Sequence, residues 1–380
     1  MSIAAHFHSL FLSEDGSVWA CGGNESNHLG VGTVSNIFQP LRLDGLPPIQ
    51  KIFAYTNCSF FIDEENHLWA TGDIPDLQFL AKPTRLKAPK SSIVHVWCST
   101  SYLLLTDSDG LAWCMDSQKI QQRRHIAEIS EEAMFTLMAP PAQAAFSNTT
   151  TVGVIGCDGS VWAVERHITK GNISRNCSLN RADLPKIHKF SCGRSHTLFL
   201  DCHGTVWGIG NNALHQIGTG EIYQQSVMRT PEKIPFNVPI VSIACGAFFS
   251  LFLDCEGNVW CCGTNEKGQL GLGDVEGRNA PTKIPNLPRI ADIYAGSHHS
   301  LFVCENGTVL GCGSNCLGQL GFKRVLQSLR DKVTKVQPVP LPQPIRVCFS
   351  ELPNEHQPKS ARTSKSQSVR VDAHSFPNNE

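Results

Sequence analysis

The chain has 380 residues, 41% of them hydrophobic, and a formal net charge of -1. That balance supplies apolar residues for a sizeable core and no global basic signal for nucleic acid or an anionic membrane surface. No stretch approaches the roughly 20 apolar residues of a membrane-spanning helix, and no basic segment with an apolar signal core opens the chain.

In chain order, the first recognisable unit is Ser9–Gly32, SLFLSEDGSVWACGGNESNHLGVG: an apolar run, a glycine turn, a second strand carrying Trp19 and a glycine-rich exit. The pattern returns with anchors at Trp69, Trp113, Trp162, Trp207, Trp260 and, in substituted form, Leu310, with successive anchors 44 to 53 residues apart. Self-similarity at such a period is the signature of a repeat architecture. Three residues before the anchors stand Gly16, Asn66, Gly110, Gly159, Gly204, Gly257 and Gly307, and Gly and Asn are the residues that enter positive φ most readily, so each unit turns a hairpin there. Runs such as Leu198-Phe199-Leu200 read as strands covered on both faces. Upstream, Ile240–Cys245 and Ile290–Ala295 supply a third strand, while Pro231–Ile234 and Pro281–Ile284 suit an edge. Seven units of four short strands predict an all-β, seven-bladed β-propeller over residues 1–350, with the anchors buried in corresponding places.

The first unit begins almost at Met1, so no separate leading domain is expected and the ring must close with the chain ends. Ile345–Phe349 (IRVCF) reads as an inner strand that joins the N-terminal strands in the first blade; the alternative is that Ile3–Ala5 itself is that inner strand. Residues 351–380 are rich in Ser, Asn and Pro and almost devoid of aliphatics, which predicts a disordered tail.

Units two to four lose the glycine-rich exit, continuing instead into Asp73, Ser117 and Arg166. Gln118–Met138 reads as a short strand plus loop or an irregular helix. Loops on a rigid scaffold are where binding residues concentrate, which makes Arg123, Arg124, Glu131 and Glu132 the candidate partner-binding residues.

The patterns that imitate chemistry all fall on repeat positions. Eleven residues before the anchors stand His8, Cys58, Tyr102, Thr151, His196, Phe249 and His299, a variety that suits packing. Ser195, His196 and Asp201 look like parts of a hydrolase triad, but belong to the repeat. Cys312 and Cys316 have a zinc-like spacing without a second pair, and Gly208–Ala213 imitates a dinucleotide fingerprint without the helix that must follow. The expectation is no catalytic residue, no cofactor and no metal. The sixteen cysteines are expected as reduced, mostly buried thiols in an intracellular protein, cytoplasmic or nuclear.

Units one, five, six and seven resemble the repeats of the regulator of chromosome condensation family, Asp-x-x-Gly-x-Val-Trp-x-x-Gly followed by Asn and Gly-Gln-Leu-Gly. Gly268-Gln269-Leu270-Gly271 and Gly318-Gln319-Leu320-Gly321 match fully, His28-Leu29-Gly30 and Gln216-Ile217-Gly218 in part. The family's inner-strand ending is matched by Cys192-Gly193 with His196-Thr197, Cys245-Gly246 with Phe249-Ser250, and Ala295-Gly296 with His299-Ser300. The resemblance implies a propeller whose founding family member is a guanine-nucleotide exchange factor for the small GTPase Ran and binds chromatin. That factor uses a protruding wedge on one blade; anchor spacings of at most 53 residues leave no length for a conspicuous one here. The expected function is therefore a monomeric, non-catalytic protein-interaction propeller, a scaffold or adaptor, with protein partners. The alternative is a guanine-nucleotide exchange factor for a Ran-like small GTPase. Near-neutral charge and a mixed tail argue against a chromatin role.

Overall fold

Each repeat folds as its turn chemistry requires. The seven residues three before the anchors all have positive φ, between 64° at Asn66 and 82° at Gly257 and Gly307. At Gly204 a Cβ would come within 2.8 Å of Pro239 Cβ, so a close approach is demanded as well as the backbone conformation. The carbonyl of this turn residue receives the amide of the first residue in the next inner strand: Ile49 N to Gly16 O 2.9 Å, Ile187 N to Gly159 O 2.8 Å, Ile240 N to Gly204 O 2.9 Å and Ile290 N to Gly257 O 3.1 Å. The hairpin turn of one unit thus positions the next.

The computed structural model describes residues 3–74, 79–87, 92–98, 103–115, 134–136, 141–148, 151–165, 180–220, 226–321 and 332–339. It contains seven four-stranded antiparallel sheets, each a meander in chain order. Blade 1 comprises Ile3–Ala5, His8–Leu12, Val18–Gly22 and Ile37–Arg42; blades 2 to 7 repeat the order over residues 49–86, 93–136, 142–181, 187–234, 240–283 and 290–338. Ile240–Cys245 and Ile290–Ala295 are inner strands, and the proline-bearing Val227–Ile234 and Arg278–Lys283 are outer ones. Met134–Thr136 is the outer strand of blade 3.

The second strands carry the core. His196–Asp201, Phe249–Asp254 and His299–Cys304 are buried at every position, because both faces of the sheet lie against neighbouring blades. Phe11, Phe61, Phe252 and Phe302 are fully enclosed and pair directly with anchors Trp19, Trp69, Trp260 and Leu310 on the third strands.

The anchors themselves differ from expectation. Trp19, Trp69, Trp113, Trp162, Trp207, Trp260 and Leu310 occupy corresponding places, but all are half-buried, since the third strand is one step nearer the perimeter. Their polar edge explains why tryptophan recurs. Indole Nε1 donates to a carboxylate six residues earlier: Trp69 to Asp63 at 2.9 Å, Trp113 to Asp107 at 2.8 Å, Trp207 to Asp201 at 3.1 Å and Trp260 to Asp254 at 2.9 Å. The other oxygen of Asp254 accepts the turn amides of Glu256 and Asn258, both at 2.9 Å. Asp201 holds its own turn in the same way through His203 and Thr205. In blade 7 both partners are replaced, by Cys304 and Leu310. In blade 1 only the acid is lost, and Ser13 Oγ and Trp19 Nε1 are buried without partners.

This asymmetry makes a differential prediction. Trp260→Phe leaves Asp254 short of a donor and is expected to cost about 1.5–3 kcal/mol beyond the lost packing, whereas Trp19→Phe removes an orphaned donor and should cost less. Urea melts of the two variants check it; equal losses would show that the indole–carboxylate bond contributes nothing.

The described residues decide how the first blade is built. All four of its strands come from residues 3–42, with Ile3–Ala5 hydrogen-bonded to His8–Leu12 in the inner place. The inner strand expected from Ile345–Phe349 is therefore not required there; that segment, like the tail 351–380, lies outside the described residues. Blade 1 meets blade 7 face to face, with Ile3, Phe11 and Cys21 packed against Tyr294, Leu301, Val303, Val309, Leu320 and Val339.

Candidate protein-binding face

A four-stranded meander places alternate connections at opposite ends of each blade. The glycine hairpins and blade-to-blade links occupy one face of the ring. The other carries the turns between the first and second strands and the exit loops between the third and outer strands.

The exit loops are wired internally. Asn24, Asn212, Asn265 and Asn315 each accept, through Oδ1 at 2.9 Å, the amide five residues on, at Leu29, Ile217, Leu270 and Leu320. Gln216, Gln269 and Gln319 accept the amide two residues before them, at Leu214, Lys267 and Leu317. Gln269 and Gln319 also donate back to Thr264 and Ser314 hydroxyls. The Asn and Gln of the repeat signature therefore hold the loop rather than present themselves to a partner.

The next blade latches onto these loops. Ser9, Ser250 and Ser300 hydroxyls donate to the carbonyls of Gln319, Gln216 and Gln269 at 2.7, 2.5 and 2.6 Å, and Ser59 donates to His28 O at 2.6 Å. The same glutamine carbonyls face thiols of Cys21, Cys262 and Cys312 at 3.5–3.6 Å, which accounts for recurrent cysteines just past the anchors. Ser314 Oγ, not Cys312, lies against Cys316 Sγ, at 3.2 Å. Three histidines complete the latch: His8 Nε2 to Ser59 Oγ 2.7 Å, His196 Nε2 to Ser250 Oγ 3.0 Å, and His299 Nε2 to Ser9 Oγ 2.9 Å. The last pair joins blade 7 to blade 1 across the closure.

Because each serine spends its proton on a carbonyl, each histidine must donate from Nε2, leaving Nδ1 as a buried acceptor without a partner. Protonation there would place a charge and an unpaired donor in the core. Burial accordingly pushes His196 and His299 down to about 3, and His8 well below the usual imidazole range. His28 takes the glutamine place in blade 1, where its ring lies 4.5 Å from that of His8; burial lowers it to about 4.

Nearer the channel, the turns of four consecutive blades are strung together by backbone bonds: Arg194 N to Ala247 O 3.3 Å, Ala247 N to Ser297 O 3.1 Å and Ser297 N to His6 O 2.9 Å. On this belt the Arg194 guanidinium lies 5.7 Å from the centroid of Phe248, and Phe248 lies 6.4 Å from His298. Leu214 and Val275 of the exit loops are 45% and 40% exposed, and Glu266 and Lys267 form another exposed apex. The face has a fixed backbone and variable tips.

The repeats match the sequence model of the Regulator of chromosome condensation (RCC1) repeat at residues 15–62, 203–253 and 256–303, and a second model of the same description at 187–216, 240–269 and 290–319. Residues 15–62 and 187–319 are regulator of chromosome condensation repeats. Family relatives include the Protein RCC2 homolog of Danio rerio, 38% identical over 128 residues, which are 31% of this chain and 25% of the relative. The human RCC1-like G exchanging factor-like protein is 38% identical over 99 residues, 25% of this chain and 21% of the relative. The alignments thus span about a quarter of these relatives' length. Among solved structures, Prp20p from Saccharomyces cerevisiae superposes with a TM-score of 0.70 at 18% identity, covering 88% of each chain, and human WBSCR16 with 0.71 at 17%, covering 86% of this chain and 95% of that one. Identities this low establish the shared fold alone.

Within this family framework, Arg123, Arg124, Glu131 and Glu132 lie outside the described residues, as do Tyr102 and most of Gln118–Met138. The flanks of that segment are described: Met115 of the third strand of blade 3 pairs with Met134 of its outer strand. The latch role of the serines was not legible in the sequence, where Ser250 and Ser300 stood only as part of the inner-strand ending, although Ser9, Ser59, Ser250 and Ser300 recur one residue after the histidine slot. Among the described residues no helix is long and apolar enough to cross a membrane, and no group of three or more His, Cys, Asp or Glu is placed to hold a metal.

Proposed function

We propose that this propeller is a protein-interaction module that docks its partners on the exit-loop face. The observation that carries this reading is the division of labour within that face. Signature Asn, Gln and Ser side chains are consumed in holding loops and seams, while Leu214, Lys267 and Val275 are exposed at the exit-loop tips. Rigid scaffolding with variable tips suits recognition with little ordering cost on binding. Latch histidines and serines are fully buried, which removes them from any role as nucleophile or base toward a substrate.

Partner specificity is assigned to the sector of blades 2 to 4, with Arg123, Arg124, Glu131 and Glu132 in the segment between Met115 and Met134. Arg123→Glu with Arg124→Glu is expected to weaken capture of the principal partner at least tenfold while leaving the melting temperature unchanged. Arg229→Glu with Lys233→Glu, on the outer strand of blade 5, is the control. Arg278 is unsuitable for that purpose, because its guanidinium ties Asp274 at 2.6 Å and the Glu276 carbonyl within its own exit loop. Loss of capture only on Arg194→Glu with Lys267→Glu would move the interface to blades 5 and 6.

A second reading is guanine-nucleotide exchange on a small GTPase. It is favoured by the name of the human relative, and by the yeast neighbour Prp20p, whose structure was described together with its binding properties to Gsp1p and histones. Exchange demands tighter binding to the nucleotide-free GTPase than to the loaded one. Accelerated release of a fluorescent guanine nucleotide would establish it; capture without acceleration leaves the interaction module.

A further inference from the structure

At the seam between blades 2 and 3 the histidine–serine latch is absent. The slot of His8, His196 and His299 is filled by Cys58, whose Sγ lies 3.5 Å from Sγ of Cys98 at the end of the next inner strand. Other seam thiols face carbonyls, as Cys21, Cys262 and Cys312 do; this pair points at itself. Two further bonds hold the strands in register, Tyr55 hydroxyl to Val96 O at 2.6 Å and Lys51 Nζ to Val94 O at 3.0 Å. A disulfide needs its sulfurs about 2.05 Å apart, so the two sulfurs, now 3.5 Å apart, must approach by about 1.5 Å.

We propose that Cys58 and Cys98 are an oxidative modification site that takes a hydroperoxide and closes reversibly into a covalent latch between blades 2 and 3. One thiolate attacks the peroxide oxygen, breaking the O–O bond to give a sulfenic acid and, with hydrogen peroxide, water. The second thiolate attacks that sulfur, the S–S bond forms, and hydroxide leaves and is protonated to a second water. Two thiols are oxidised by two electrons and the peroxide is reduced. Excess dithiol reverses the step by exchange. Both thiols are enclosed, at 1% and 4% exposure, and burial raises the Cys58 thiol. Oxidation therefore waits on opening of the seam and runs more slowly than at the exposed Cys157. The product closes a 40-residue separation in sequence across the seam between blades 2 and 3.

The test uses the full chain with Cys157→Ser, treated with hydrogen peroxide under native conditions, alkylated and digested without reductant. Mass spectrometry is expected to find the Cys58 and Cys98 peptides joined and two hydrogens lighter. The melting temperature should rise by roughly 3–6 °C and return with dithiothreitol. Cys98→Ser, or Cys58→Ser should the first fold poorly, removes both effects. Oxidation spread over other cysteines without this cross-link overturns the proposal, as does a melting shift that survives loss of either thiol.

Discussion

Ile3→Asp is expected to open the ring and cost more than about 4 kcal/mol, a larger loss than any other single change near the N-terminus. Ile3 is 0% exposed and lies in the cluster that unites blade 1 with Tyr294, Leu301, Val303, Val309, Leu320 and Val339 of blade 7. A carboxylate there has no partner, and its desolvation falls on the one seam that unites distant parts of the chain. Ile3→Val, which keeps most of the volume, should cost about 0.5–1.5 kcal/mol. Val34→Asp, at a position 59% exposed, should change stability by no more than about 0.5 kcal/mol. Urea melts order the three. If Ile3→Asp costs less than about 1 kcal/mol, the inner strand of blade 1 is not what closes the ring.

The second large effect is acid lability. His196 and His299, both fully buried, are held down to about 3, and His6, His28 and His95 to about 4, in each case chiefly by burial. In the unfolded chain these side chains titrate near 6.5. A depressed folded value means that the unfolded state binds protons first as pH falls. Stability contributed by neutral burial is thus complete above about 6.5 and drains away as pH falls from there through the folded values, about 4 for His6, His28 and His95 and about 3 for His196 and His299. Each such histidine steepens the dependence by up to about 1.4 kcal/mol per pH unit within that window. His196→Gln, whose amide can still donate to Ser250, is expected to flatten the slope by about that amount while losing little stability at pH 7.5. A slope unchanged between the parent and this variant would show that His196 is already charged or accessible in the fold.

How far the sequence carried can be read from particular residues. The seven units, their hairpin turns and their inner and edge strands were legible, because positive φ at Gly or Asn, two-sided apolar runs and edge proline are local requirements that each repeat must satisfy by itself. The histidine slot was visible as a column of mixed residues and its packing role followed, yet its partner was not. Ser59 is 51 residues from His8 and Ser9 is 290 from His299, and such pairs exist only once neighbouring blades are laid face to face. The same limit applies to the cysteines: most could be read as small apolar residues, but which thiol meets a glutamine carbonyl and which meets another thiol depends on blade spacing. Tryptophan was recognised as the anchor and misjudged in depth, since identical local sequence cannot tell a second strand, enclosed by two blades, from a third strand one step closer to solvent.

What the sequence determined by itself was the repeat: seven hairpins, their period and the family they resemble, all fixed by short-range turn and strand chemistry. The tertiary structure alone decided that Ile3–Ala5 completes the first blade and that serine, histidine and glutamine join one blade to the next. Closure and seams are contacts between residues tens to hundreds of positions apart, and two strands of similar pattern compete for them equally until packing selects one.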